Sequence, residues 1–226
     1  MSWLRDLLGI YGRVVRRAAD LAVRHWWLGL VAVGYQGALL GLAILVVPLG
    51  IVGGFLLTFG AAALMSSWFV LLGHVVREGR TSLADVSGSF LIYLGDVLTF
   101  GFLLWALQYI ASVALADFSY LAIVFELALL VFLSAVPEQI YLAGESGPAV
   151  FVESYRFVAA YWIEWLPATA LLLVVMVLAS AVPFLPVAVV TGGFAMAFMF
   201  ICRGLLFLEL TTSSRRAREF QRRVAG

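Results

Sequence analysis

Residues 137–157 read PEQIYLAGESGPAVFVESYRF, and they interrupt a second half that is otherwise almost wholly apolar. Glu138, Glu145, Glu153 and Arg156 crowd into this stretch around a Gly147-Pro148 step. Why a sequence of membrane character carries such a segment decides how the rest of the chain is arranged.

The composition sets the solvent. Of 226 residues, 64% are hydrophobic and 12% charged, whereas soluble domains average about 25% charged. The chain is therefore expected to be an all-α integral membrane protein. A hydrocarbon core about 30 Å thick takes about 20 apolar helical residues to cross. Six stretches are long enough: about residues 26–48, 52–76, 91–115, 119–142, 159–182 and 186–208. Four spans with two re-entrant segments is the other arrangement these lengths allow. Turn chemistry separates the spans on one side, at Pro48-Leu49-Gly50 with Gly53-Gly54, at Ala116-Asp117-Phe118-Ser119 and at Pro183-Phe184-Leu185-Pro186.

The arginines orient the spans. All 14 basic side chains are Arg. Arg5, Arg13, Arg16, Arg17 and Arg24 precede the first span, Arg77 and Arg80 follow the second, and Arg156 precedes the fifth. Arg203, Arg215, Arg216, Arg218, Arg222 and Arg223 end the chain. With six spans all of them fall on one face. By the positive-inside rule that face is cytoplasmic, with both termini inside a prokaryotic inner membrane. The first apolar run continues through Trp26-Trp27 for a full span, so a cleaved signal peptide is not expected.

Three regions follow. Residues 1–25 place Leu4, Leu7, Leu8, Tyr11, Val14, Val15, Ala18 and Leu21 at helical spacing opposite Arg5, Arg13, Arg16, Arg17 and Asp20. This is the pattern of an amphipathic helix lying in the cytoplasmic headgroup layer, or of one that docks a partner. Residues 26–208 form the transmembrane domain. Residues 209–226 form a basic cytoplasmic tail that suits anionic lipids.

The opening stretch has an echo. Shifted by 65 residues, GRTSLADVSGSF (79–90) lies over GESGPAVFVESY (144–155), matching Gly79 to Gly144, Ala84 to Ala149 and Ser89 to Ser154. In each copy a glycine can end one helix and Ser82 or Ser146 can cap the next, with Pro148 suited to a first turn. The segment thus reads as the second copy of a weak helical-hairpin repeat, its charges at the cytoplasmic interface.

Gly79-Arg80, Ser82-Leu83 and Asp85 lead into one span. Glu145, Gly147, Ala149, Ser154, Arg156 and Phe157 lead into another that opens Tyr161-Trp162-Ile163-Glu164-Trp165. This pattern, over about residues 60–180, resembles a set of prokaryotic six-helix membrane proteins. The set includes the membrane domain found beside glycerophosphodiester phosphodiesterases and its uncharacterised relatives. The resemblance implies the fold. The phosphodiesterase chemistry of that family belongs to a separate soluble domain.

Polar residues within spans are costly in lipid and become candidate sites. Glu126 lies about 10 Å in from the outer face, at 1.5 Å per residue, and Gln108, Thr58 and Thr191 lie at similar depth. A protonated Glu126 bonded to Gln108 would clamp two helices; the other reading is a proton or substrate site. Asp96, Glu138, Glu164 and Arg203 lie nearer the cytoplasm. Arg203 follows Glu138 by 65 residues, which places the two at one depth, either as an ion pair or snorkelling separately. His25 and His74 near the ends of the first two spans could ligate haem only on facing helices. No other cofactor signature accompanies them, and none is expected. A single Cys202 without metal-ligand spacing argues against zinc and disulfide chemistry, and no catalytic motif is recognisable. Gly37-Ala-Leu-Leu-Gly41 and Gly50-Ile-Val-Gly-Gly54 are small-residue motifs expected to pack helices within the chain.

These features point to a non-enzymatic scaffold or accessory subunit of a membrane complex. A small transporter or channel with an acidic site at Glu126 is the alternative. The expected partners are the lipid bilayer, including anionic lipids, and other membrane subunits or the chain itself, but no nucleic acid.

Overall fold

The computed structural model describes residues 2–181 and 184–212, which fold as helices with no strand among them. Pro183 and the basic stretch from Ser213 onward lie outside the described residues. In chain order the helices are α1 (Ser2–Arg24), α2 (Trp27–Val46), α3 (Ile51–Glu78), α4 (Ala84–Gly88), α5 (Leu94–Ala114), α6 (Ser119–Phe132), α7 (Val136–Glu138), α8 (Ala149–Ser180) and α9 (Leu185–Thr212). Six candidate spans result: Trp27–Leu49, Ile51–Glu78, Leu94–Ala114, Ser119–Ala143, Ala149–Leu178 and Pro186–Thr212. The chain is a multi-pass helical membrane protein.

Local chemistry sets the breaks. Gly50, with φ +56°, turns the chain from α2 into α3. Gly79 ends α3 in the left-handed region at φ +69°, ψ 14°, where its N–H reaches Val75 O at 3.0 Å. Gly144, 65 residues on, takes φ +77°, ψ 21°. A side chain at either position would be strained.

The fifth span is longer than expected. It begins at Ala149 rather than near residue 159, because no breaker separates the polar stretch 149–158 from the apolar run behind it. The helix bends instead, with Tyr161 at φ −123°, ψ 24° and Pro167 six residues beyond.

Packing is concentrated at the arginine-bearing end. Buried residues cluster in the last turns of α3 (Ser66–Val76), around α7 (Ala135–Leu142), in the first half of α8 and in the second half of α9 (Ala197–Leu210). Central α9 contacts α1, α2, α3, α7 and α8. It meets α2 closely, since a Cβ on Gly193 would stand 2.7 Å from Val33 Cγ2 and 3.1 Å from the Gly29 carbonyl oxygen. Within the two expected small-residue motifs, Gly53 alone makes a close contact, where a Cβ would run into the Val46 carbonyl oxygen. A Cβ on Gly37, Gly41, Gly50 or Gly54 would meet nothing within 4 Å. Those glycines lie away from the faces along which helices touch.

α1 lays its apolar stripe on the bundle. Ile10, Val14, Ala18 and Leu21 are buried against the bundle, chiefly on α9, while Leu8 and Val15 are exposed. An apolar stripe gains similarly from lipid or from protein, so polar contacts decide between them. Arg13 Nη2 reaches Glu209 Oε1 at 2.9 Å, and Tyr11 is hydrogen-bonded into α8.

The hairpin of α5 and α6 lies at the edge of the bundle: no residue in either helix is fully buried, and Val97, Phe100, Val131 and Phe132 pack partly buried against the core. It touches the bundle through α3 and α8.

Candidate functional site

Pro137 shapes the buried polar centre. In a continuous helix its ring would clash with the Leu133 carbonyl, and it lacks an N–H, so α6 stops at Phe132 and α7 begins only at Val136. Carbonyls at the break need donors from elsewhere. Ser154 of α8 donates its hydroxyl to Phe132 O at 2.7 Å. Arg203 of α9 donates through Nη2 to Ser134 O.

The same guanidinium holds Glu138. Nε donates to Oε1 at 2.9 Å and Nη2 to Oε2 at 3.1 Å, a two-point contact between side chains that are 3% and 0% exposed. Two-point pairing is the geometry in which Arg and carboxylate bind best. Trp165 covers the guanidinium, with the Arg203 Cζ atom 4.7 Å from its ring centroid. Its Nε1 donates to Ser134 Oγ at 2.9 Å.

Past Glu138 the backbone winds as a π turn over Gln139–Ala143. Such turns recur at functional sites. This one is fastened from three sides: Arg77 Nη2 donates to Leu142 O at 2.5 Å, Gln139 Nε2 donates to Glu153 O at 3.1 Å, and Gly147 N–H donates to Asp96 Oδ1 at 3.3 Å just beyond it. The Tyr141 hydroxyl is buried without a hydrogen-bond partner. It lies where a Cβ on Gly204 would approach within 2.8 Å. Both oxygens of Glu138 are committed to Arg203, so the arrangement acts as a lock on irregular backbone.

Two further polar clusters carry no obvious sequence motif. Tyr35 OH and Ser67 Oγ lie 2.5 Å apart, and Ser67 Oγ and Ser89 Oγ 2.6 Å apart, with Ser66 Oγ receiving the Tyr93 N–H at 2.8 Å. The adjacent serines within an apolar span were the available signal. The second cluster is at the bend of α8. Tyr11 OH donates to Glu164 O at 2.6 Å and accepts from Ala168 N–H at 3.1 Å. It occupies the place of a helical hydrogen bond, a recognised cause of bends. Burial, opposed by the bond from Ala168, pushes the Tyr11 hydroxyl up to about 12, so it remains a donor at physiological pH. Pro167, beside Ala168, marked the irregularity of α8 in the sequence but not Tyr11 as the group that fills it.

The polar interface carries one more charge-assisted contact. Asp85 Oδ2 accepts the Ser82 N–H at 2.8 Å and the Thr81 hydroxyl at 3.2 Å. The bond from the Ser82 backbone, more than any other influence, holds the Asp85 carboxyl below its ordinary range. His74 Nδ1 stands 3.8 Å away.

The remaining candidates part from expectation. Glu126 and Gln108 are both exposed and share no hydrogen bond, so the clamp between them is not formed within the chain. Their depths match, but their directions around α5 and α6 do not bring them together. Thr58 donates to Gly54 O at 2.9 Å and Thr191 to Val187 O at 2.7 Å, each within its own helix. His25 Nε2 lies 3.1 Å from Gly79 O, and His74 Nδ1 lies 3.8 Å from Asp85 Oδ2. Among the described residues no three His, Cys, Asp or Glu side chains are grouped to hold a metal.

No protein-family model, curated protein or solved structure matches the chain.

Proposed function

We propose that the chain is a non-enzymatic integral membrane protein that serves as a scaffold or accessory subunit of a larger membrane assembly. The observation that carries this reading is the α5–α6 hairpin. None of its residues is fully buried in the chain, and it presents Gln108 and Glu126 exposed and unbonded within two candidate spans. Polar groups of this kind in lipid find a partner, most often on another helix. The transporter alternative needs these two side chains to line a path between helices, and their exposure favours assembly instead.

The polar groups inside the bundle support the same reading, because Arg203, Glu138 and Arg77 are bonded to their own chain. In this proposal the arginine-bearing end faces the cytoplasm of a prokaryotic inner membrane and carries both termini. The helical-hairpin repeat belongs to it too. Gly79 and Gly144 share a left-handed conformation, and Ser89 and Ser154 each bond a residue 22 positions earlier, Ser67 and Phe132. Kinship with the six-helix membrane domain beside glycerophosphodiester phosphodiesterases would account for such a unit.

The test is extraction from native membranes into lipid nanodiscs under mild conditions, followed by identification of what accompanies the chain. Stoichiometric membrane proteins, or a defined multiple of the chain itself, are expected. A solitary monomer at native abundance would refute the proposal.

A further inference from the structure

The partner that α5–α6 demands is indicated by the polar pair itself. Gln108 lies six residues before the end of α5 at Ala114, and Glu126 seven residues after the start of α6 at Ser119. At 1.5 Å per residue both stand about 9–10 Å below the connecting turn. The hairpin thus carries a hydrogen-bond donor amide and an acceptor carboxyl at one depth, each exposed and neither bonded to the other.

We propose that α5–α6 is the interface between two copies of this chain, in which each copy's Gln108 amide donates to a Glu126 carboxyl oxygen of the other. This rests on the assembly reading above and specifies its partner. A two-fold axis along the membrane normal keeps both copies in the same orientation and preserves depth, so side chains at equal depth in one copy lie at equal depth across the axis. Closed pairs of this type place residue i on j and j on i. Two bonds then engage all four polar side chains with no other subunit. A foreign helix would have to supply both an acceptor for Gln108 and a donor for Glu126 at that depth.

Apolar exposure alone would not drive the pairing, since lipid tails cover Phe102, Trp105 or Ile110 as well as a protein does. The polar pair gives the contact its preference. Both side chains lack bonds within the chain, so replacing them leaves the fold of a single copy intact.

The test uses the full chain in membranes with Cys202, which is buried, changed to alanine. Copies bearing Gln108→Cys and differently tagged copies bearing Glu126→Cys are co-expressed and oxidised. Cross-linking between positions 108 and 126 of different copies is expected to exceed the 108–108 and 126–126 products. In lipid vesicles, Glu126→Leu and Gln108→Leu should each weaken self-association about ten-fold while unfolding at the parent temperature. Glu126→Gln keeps an acceptor and should associate like the parent. Cross-links confined to like positions, or association indifferent to both Leu variants, would overturn the proposal. A stoichiometric foreign subunit on the hairpin in place of a second copy sinks the two-fold pair and leaves the assembly reading standing. A monomer with no companion sinks both.

Discussion

At the scale of single residues, the Arg203–Glu138 pair is the most exacting feature, because both charges are taken almost wholly out of solvent. A buried pair contributes little against a well-packed apolar replacement, but breaking one strands a charge and costs about 3–5 kcal/mol. Arg203→Ala should therefore destabilise the detergent-solubilised protein far more than a change at exposed Arg16. Adding Glu138→Ala should restore part of the loss, since the stranded carboxylate is then gone. A double-mutant cycle measures this directly, and strict additivity would show that the two do not depend on each other. Tyr11 makes a second such demand. Tyr11→Phe leaves the Glu164 carbonyl and the Ala168 N–H without their shared partner, at a cost of about 1–3 kcal/mol. Hydrogen exchange at Ala168 should accelerate more than at neighbouring amides; unchanged protection there would mean that the hydroxyl is incidental.

At the scale of elements, the connection between α3 and α5 is the one whose stability should respond to acid. Asp85 holds Ser82 and Thr81 at the start of α4, and its carboxyl is held below its usual range. A lowered value in the folded state means that the contribution is complete above the unfolded value of about 3.9 and is lost as pH falls through the folded one. Proteolysis at residues 79–90 should thus accelerate below about pH 4 in the parent, whereas Asp85→Asn should be cleaved faster at pH 7 and show little further change on acidification. Equal behaviour of the two proteins across that range would remove Asp85 from this role. Much of the element pattern was legible in sequence. Gly79 and Gly144 punctuate helices wherever they occur, and span length follows from bilayer thickness. Bends and docking were less legible, because Tyr11 meets Glu164 across 153 positions and nothing local to either residue signals the other. Depth could be counted along a helix, which put Glu138 and Arg203 at one level and left an ion pair and separate snorkelling both open; the bundle makes them an ion pair. Direction around the helix depends on neighbours, which is why Glu126 and Gln108 share a level without meeting.

At the scale of the whole molecule, the distribution of packing and charge bears on how the chain sits in the bilayer. The core lies at the end that carries Arg13, Arg77, Arg156 and Arg203, while the opposite halves of the spans are largely exposed. Six spans put every arginine of the chain at that end, and the positive-inside rule then assigns it to the cytoplasm. Reporter fusions placed after Gly50, Asp117 and Pro183 should accordingly register outside the membrane, and fusions after Arg80, Gly147 and Gly226 inside. The fusion at Asp117 is the most discriminating. If α5 and α6 were re-entrant, the turn between them would not reach the outer surface, and the four remaining spans would still leave both termini on the arginine-bearing side. A cytoplasmic signal at Asp117 alone would therefore leave the other five assignments intact and reduce the chain to four spans. It would also put the Gln108 and Glu126 level in a different dielectric, where water and not a second copy could satisfy them.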